Sequence, residues 1–195
     1  GGLDLGFERA GYDIVWANDI NVDACATYRR NIGEIVEGDV TNLPIPDLKD
    51  IDVLAAGFPC QPFSNAGSRN GVKDPRGRLY ENTMEFIQAL SPKAVIIENV
   101  RGLLSTKVDD EKLIDVLEQN LREFGYHVEY RLVNFSHFGV PQNRIRVVVI
   151  AVRDQEFLPF AFPEITTGQD LTLKATLKGL RKSQHNQTEL MKLNP

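Results

Sequence analysis

Short apolar runs alternate along this chain with stretches whose apolar residues recur every three or four positions. The first pattern predicts buried strands at residues 13–17, 34–37, 51–56, 93–97, 128–133 and 146–152. The second predicts helices at 3–10, 21–31, 79–90 and 111–124. Gly11 stops the first helix, Pro92 breaks the third and Gly125 closes the fourth. Met84, Ile87 and Leu90 form the inner face of the third helix. Leu113, Val116, Leu117, Leu121 and Phe124 form that of the fourth. Cys25 lies on the apolar stripe of the second and reads as core.

Strands alternating with helices give an α/β chain whose mostly parallel sheet is covered on both faces. Ligands of such sheets gather at the carboxyl ends of the strands. Asp19, Asp39, the 57–60 turn and Glu98 all follow a strand, so the pattern alone puts four polar features on one rim.

Composition changes this picture little. A length of 195 residues, 42% of them hydrophobic and 25% charged, suits one globular domain with a real core. No apolar run reaches the length of a membrane span, and no charged-then-apolar leader opens the chain. Two cysteines in different contexts point to a reducing, cytoplasmic setting rather than a disulfide framework. His127, His137 and His185 are scattered, so no metal is expected. The net charge of −5 argues mildly against nucleic acid. Local distribution matters more: between 60 and 80, Arg69, Lys73, Arg76 and Arg78 face Asp74 alone.

That basic stretch begins at Cys60, just past a predicted strand and between Pro59 and Pro62. A free cysteine is more often a buried structural thiol, but a loop stiffened by two prolines suits a nucleophile. Glu98 holds the same position after Val95-Ile96-Ile97. A carboxylate there is costly unless used or paired, and partial burial would let it donate a proton near neutrality. The bland reading is an ion pair with Arg144 or Arg146, which is compatible with catalysis. Alternation would send those two arginines to one side, where they could fix a carboxylate, a phosphate or a base carbonyl. Asp19, some twenty residues after Gly1-Gly2, suits a ribose diol, and Asp39 an adenine amino group. Taken singly, each Asp is more often a cap or a turn residue.

Gly1-Gly2-Leu3 to Gly6, Asp19, Gly38-Asp39, Gly57-Phe58-Pro59-Cys60-Gln61-Pro62-Phe63-Ser64, Asp74-Pro75-Arg76-Gly77, Glu98-Asn99-Val100 and Gln142-Asn143-Arg144-Ile145-Arg146 follow one another in a recognisable order. This order resembles that of the DNA cytosine-5 methyltransferases over roughly the first 155 residues.

The resemblance implies a Rossmann-like fold that binds S-adenosylmethionine and releases S-adenosylhomocysteine. Gly2 would lie in the cofactor site, Asp19 on the ribose, Ile20 on the adenine face, and Asp39 and Val40 at the adenine edge. Gly57, Pro59 and Leu79 would line the rest. Cys60 would attack C6 of a flipped-out cytosine while Glu98 holds the ring at N3 and the exocyclic amine. Arg144 would help hold the base and Arg146 support the site. Gln61, Ser64 and Arg76 would approach double-stranded DNA. The implied protein is a bacterial, cytoplasmic and nucleoid-associated monomer of a restriction–modification system.

Two departures accompany the resemblance. The chain starts at Gly1-Gly2, without methionine or the usual apolar first strand, and the target recognition domain is not in the sequence. The expectation is therefore a fragment: a catalytic domain at 1–160 and, at 161–195, a linker with one short helix near 171–180 leading toward that domain. Alone it is expected to be weakly active or inactive. Two other functions remain open on the sequence: a tRNA cytosine-5 methyltransferase and an inactive cofactor-binding remnant. Ser64-Asn65-Ala66-Gly67 looks more like the DNA enzymes.

Overall fold

The computed structural model describes residues 1–59, 78–108, 110–153, 160–164 and 172–178. They fall into two units, one of Gly1–Val133 with Arg146–Ala161 and one of Asn134–Ile145 with Phe162–Pro195.

The first unit opens with helix α1 (Gly2–Arg9), which gives out at Ala10. Gly11 follows at φ +91, a left-handed turn that L side chains rarely adopt. Tyr12 donates back to the Phe7 carbonyl, and the two rings meet edge to face at 5.6 Å. The expected strand at 13–17 is corrected: strand β1 is Asn18–Asp19. A strand needs a partner, and this ladder begins only where Val36 donates to the Ala17 carbonyl. Val15, apolar but 64% exposed, is not part of the core.

Helix α2 (Val22–Asn31) is capped by Asn21, whose side chain accepts from the Ala24 amide at 2.8 Å. Its inner side holds Cys25 and Tyr28, both buried, so Cys25 is core as expected. The returning strand β2 (Val36–Glu37) pairs parallel with β1 and sets Asn18 opposite Val36 and Asp19 opposite Glu37.

Strand β3 (Val53–Ala56) runs parallel to β4 (Ala94–Val100). Helix α3 (Arg78–Leu90) precedes β4 and buries Met84, Phe86 and Ile87. Phe86 extends the inner face beyond the three-to-four pattern, and its ring lies 5.6 Å from that of Trp16. The strand reaches three residues past the expected end at Ile97, so Glu98 sits inside β4 rather than after it. Strand β8 (Ile145–Val152) supplies the reason, pairing antiparallel with β4 as far as Val100 opposite Arg146. With β7 (His127–Asn134) the sheet order is β3-β4-β8-β7.

The fourth helix starts later than its pattern implied. Glu111–Lys112 forms a strand, β6, antiparallel to β5 (Lys107–Val108), and α4 is Leu113–Glu123. Two polar residues with a partner strand beside them extend the ladder instead of the helix. Leu113, Ile114, Leu117 and Leu121 are buried along α4. They pack in one core with Ile87 of α3, Val95 and Ile97 of β4, and Val147, Val149 and Ala151 of β8.

In the second unit, a turn of 3-10 helix at Phe135–Phe138 is capped by Asn134, which also donates to the Asn143 side chain at 2.9 Å. The short helix expected near 171–180 is a single turn, α5 (Leu173–Thr176), capped by Thr172.

Candidate active site

The ends of β3 and β4 are joined by side chains as well as by their ladder. Burial along β4 alternates, with Val95, Ile97 and Asn99 on the buried face and Ile96 and Glu98 on the other. Asn99 is thus a polar residue in phase with the core, only 3% exposed. Its amide is satisfied on both sides: Nδ2 donates to the Phe58 carbonyl at 2.8 Å, and Oδ1 accepts from the Val100 amide at 2.8 Å. The turn after β3 is therefore anchored to β4 two residues before Cys60. Gly57 lies beside the same strand, where a Cβ would come within 3.6 Å of the Glu98 carbonyl and 4.0 Å of Oε2. Phe58 is buried and Pro59 exposed.

Glu98 has the company that the bland reading foresaw. Glu98 is opposite Val148 and Val100 opposite Arg146, so Glu98 and Arg146 are diagonal neighbours on one face of the β4–β8 pair. Arg146 Nε meets Glu98 Oε1 at 3.1 Å, with both side chains 22% exposed. A half-buried pair of this kind fixes the carboxylate. Arg144 differs: it precedes β8 and belongs to the second unit, so strand alternation does not set its direction, as the sequence had implied. Its carbonyl accepts from the Phe135 amide at 2.9 Å.

The two acids stand at the ends of the β1–β2 pair, Asp19 closing β1 and Asp39 two residues past β2. One carboxylate oxygen of Asp19 accepts from the Asn21 amide at 2.8 Å. Beside it Ile20 is 66% exposed, a large apolar side chain at the surface next to a carboxylate. Asp39 caps the 3-10 turn Val40–Asn42, its Oδ1 accepting from the Thr41 amide at 3.0 Å and the Thr41 hydroxyl at 2.8 Å. These bonds, the amide's first, hold its carboxyl below the usual carboxylate range. Asp39 thus fills the capping role and Asp19 the turn role that their residue type favours, and among the described residues the second oxygen of each accepts no hydrogen bond. Asn18 was not foreseen. Its Nδ2 donates to the Val36 and Gly38 carbonyls, both at 2.9 Å, and so bridges the two strands.

Of the remaining residues, Leu79 is partly buried against the core, Val40 is half-buried, and Gly2 lies exposed at the start of α1. Cys60, Gln61, Ser64 and Arg76 lie outside the described residues, as does most of the basic stretch. Asn18 and Asn99 are what sequence reasoning missed. Asn99 did leave a signal, being polar in phase with Val95 and Ile97, whereas Asn18 left none.

A family model, that of the C-5 cytosine-specific DNA methylases, matches residues 1–193. The chain belongs to this family. Among curated family members it is 43% identical over 169 residues to the type II methyltransferase M.NgoFVII of Neisseria gonorrhoeae, covering 85% of this chain and 45% of that protein. It is 39% identical over 168 residues to the type II methyltransferase M.Bsp6I of Bacillus sp. strain RFL6, covering 84% and 53%. A solved E. coli prophage protein superposes with a TM-score of 0.75 at 27% identity, covering 94% of this chain and 53% of that one. The chain thus spans about half the length of these relatives. The methylase fold is Rossmann-like, and the parallel pairs β1–β2 and β3–β4 are its recognisable part here, with β8 antiparallel beside them.

Methylases of this family imply S-adenosylmethionine, and the β1–β2 surface fits an adenosine. A carboxylate with one oxygen to spare suits a ribose diol, an exposed isoleucine suits an adenine face, and an ionised Asp39 suits an amino group.

Proposed function

We propose that this chain is the catalytic lobe of an enzyme that methylates C5 of cytosine in double-stranded DNA. The observation that carries this reading is the joining of the β3 and β4 ends, with Gly57 against Glu98 and Asn99 holding Phe58. It supports a nucleophile at Cys60 and a carboxyl group at Glu98 acting on one base.

Cytosine C6 is a poor electrophile, and inside a stacked duplex it is out of reach, so the base is taken out of the helix. The Cys60 thiolate adds to C6 and forms an S–C6 bond. Glu98 meets N3 and the exocyclic amine and stabilises the ring as electron density moves to C5. Arg146 keeps the Glu98 carboxyl group oriented, and Arg144 helps hold the base. S-adenosylmethionine, when bound, supplies the methyl group that C5 takes. Loss of the C5 proton to a base and departure of the Cys60 thiolate from C6 restore the aromatic ring.

Asp19, Ile20, Asp39 and Val40 bind the adenosine, while Gly2, Gly57, Pro59 and Leu79 line the remainder. Gln61, Ser64, Arg76 and the basic residues around them contact the DNA backbone, where cationic side chains are expected. Residues 1–160 form the catalytic domain, and 161–195 lead to the part that recognises the target. The protein acts as a monomer in the bacterial cytoplasm, within a restriction–modification system.

The test is transfer of labelled methyl groups from S-adenosylmethionine to duplex DNA or tRNA, followed by nucleoside analysis. The protein carrying this chain should yield 5-methylcytosine in duplex DNA, and Cys60→Ala none. Product in tRNA alone would overturn the substrate, and product with Cys60→Ala would overturn the nucleophile.

A further inference from the structure

We infer that Asn18 is a positioning residue that sets adenine selectivity, by fixing the peptide plane that joins Gly38 to Asp39. This rests on the reading of the β1–β2 surface as an adenosine site.

Asp39 follows Gly38, a residue with no side chain of its own to hold it. The peptide on its amino side is fixed because the Gly38 amide donates to the Asp19 carbonyl at 3.0 Å. The peptide on its carboxyl side is fixed because the Gly38 carbonyl accepts from Asn18 Nδ2 at 2.9 Å. Peptide planarity then carries that restraint directly into the Asp39 backbone. The second proton of the same amide goes to the Val36 carbonyl at 2.9 Å, one pair further back along the ladder. A single side chain thus spends both its donors on β2, on either side of Glu37. From below, Asp19 is steadied by the buried Cys25 thiol, which donates to its carbonyl at 3.3 Å. The ribose-binding acid and the adenine-binding acid are held in one frame, in which Asn18 is the side-chain brace.

Adenine differs from its 6-oxo counterpart at C6, where an amino group donates and an oxo group accepts, and at the neighbouring N1, which accepts in adenine and carries a proton in the oxo form. An acceptor placed at the C6 group rejects the oxo form, but only if it stays in place, because a carboxylate free to swing away loses the penalty. Without Asn18 the Gly38 carbonyl loses the hydrogen bond that holds it among the described residues, and the Asp39 carboxylate can move relative to Asp19. Selectivity falls more than overall binding, since Asp19 and Ile20 are untouched.

The experiment is calorimetric titration of S-adenosylhomocysteine and its inosine analogue into the protein carrying this chain, its Asn18→Ala and Asn18→Asp variants, and Arg29→Ala, each with a thermal melt. Arg29→Ala is the control for a merely structural role. It loosens β2 elsewhere, removing the bond to the Ile35 carbonyl at 3.1 Å and the Glu37 ion pair at 3.4 Å. Wild type and Arg29→Ala should prefer the adenosine ligand by about tenfold or more, the worth of one charge-assisted hydrogen bond. Both Asn18 variants should bring that ratio below about threefold, whatever their melting temperature. Asn18→Asp keeps the shape and loses both donors, so it reports if Asn18→Ala does not fold. A preserved ratio in a folded Asn18 variant, or an equal fall in Arg29→Ala, would overturn the inference. Failure of the wild type to bind either ligand would instead overturn the adenosine reading on which it rests.

Discussion

The Asn99 side chain donates to the Phe58 carbonyl at 2.8 Å, across a sequence gap of 41 residues and out of contact with solvent. This bond joins the turn that leads to Cys60 with the strand that carries Glu98. The proposed chemistry needs a fixed separation between the two, and strand pairing alone ends at Ala56 opposite Ile97. Asn99 carries the register two residues further.

Asn99→Ala should therefore leave the Phe58 carbonyl without this partner in the core, at a cost of about 1–3 kcal/mol. A denaturant melt of variant against wild type measures this. Asn99→Asp should cost at least as much, because a carboxylate opposes the carbonyl that the amide satisfied. A loss below about 0.5 kcal/mol in both variants would remove Asn99 from its anchoring role.

Arg146→Ala should lower the methyl-transfer rate without abolishing cofactor binding. The guanidinium holds Glu98 at 3.1 Å, while Asp19 belongs to the β1–β2 pair, with Ile20 just after β1 and Asp39 just after β2. Loss of an oriented carboxyl partner should slow turnover by about 10-fold to 100-fold. Calorimetry of S-adenosylhomocysteine should give the wild-type affinity. An unchanged rate, or a loss of cofactor binding as large as the loss of rate, would overturn the assignment.

The fold and the core were legible where the apolar pattern was long. Leu113, Leu117 and Leu121 of α4, Ile87 of α3 and the Val147–Val149 stretch of β8 are buried as their spacing requires. Cys25 was legible as core for the same reason. What could not be read was anything decided by a partner strand. The apolar run at 13–17 forms no ladder over most of its length, while the polar pairs Asn18–Asp19 and Glu111–Lys112 do. Glu98 likewise entered β4 because β8 extends alongside it. The Glu98–Arg146 pair of the candidate site was legible, since Glu98 stands out after an apolar run and Arg146 before one. The bracing amides were not, because an asparagine in a turn looks the same whether it caps a helix, as Asn21 does, or clamps two strands, as Asn18 does.

Leu117→Ala should destabilise the chain by about 2–5 kcal/mol. Leu117 is fully buried in the cluster that includes Val147 and Ile97. Leu177→Ala, 49% exposed in the second unit, should change stability by less than about 0.5 kcal/mol. Comparable losses from the two would contradict the assignment of the core.

Asp39 gives a pH dependence whose sign is fixed. Its carboxyl is held below the ordinary value of 3.8 by the Thr41 amide and then the Thr41 hydroxyl. A depressed folded value means that the contribution is complete above the unfolded value and disappears as pH falls through the folded one. Thr41→Val removes the hydroxyl bond and keeps the amide bond. Its melting temperature should lie below that of wild type at neutral pH, and the gap should close only below pH 3.8, as Asp39 takes up its proton. A gap that stays constant down to the acid limit would show that the hydroxyl acts through packing alone.

The central claim is that Cys60 forms a bond to cytosine C6, and a mechanism-based trap tests it most directly. Fluorine at C5 cannot leave as the proton does, so the enzyme stays joined to the base after methyl transfer. The protein carrying this chain is incubated with S-adenosylmethionine and duplex DNA containing 5-fluorocytosine, digested and analysed by mass spectrometry. The account predicts one nucleotide attached to the peptide containing Cys60, with no attachment in Cys60→Ala and a strongly reduced yield in Glu98→Gln. Full methylation of ordinary DNA with no adduct at Cys60, or an adduct at Cys25, would contradict it.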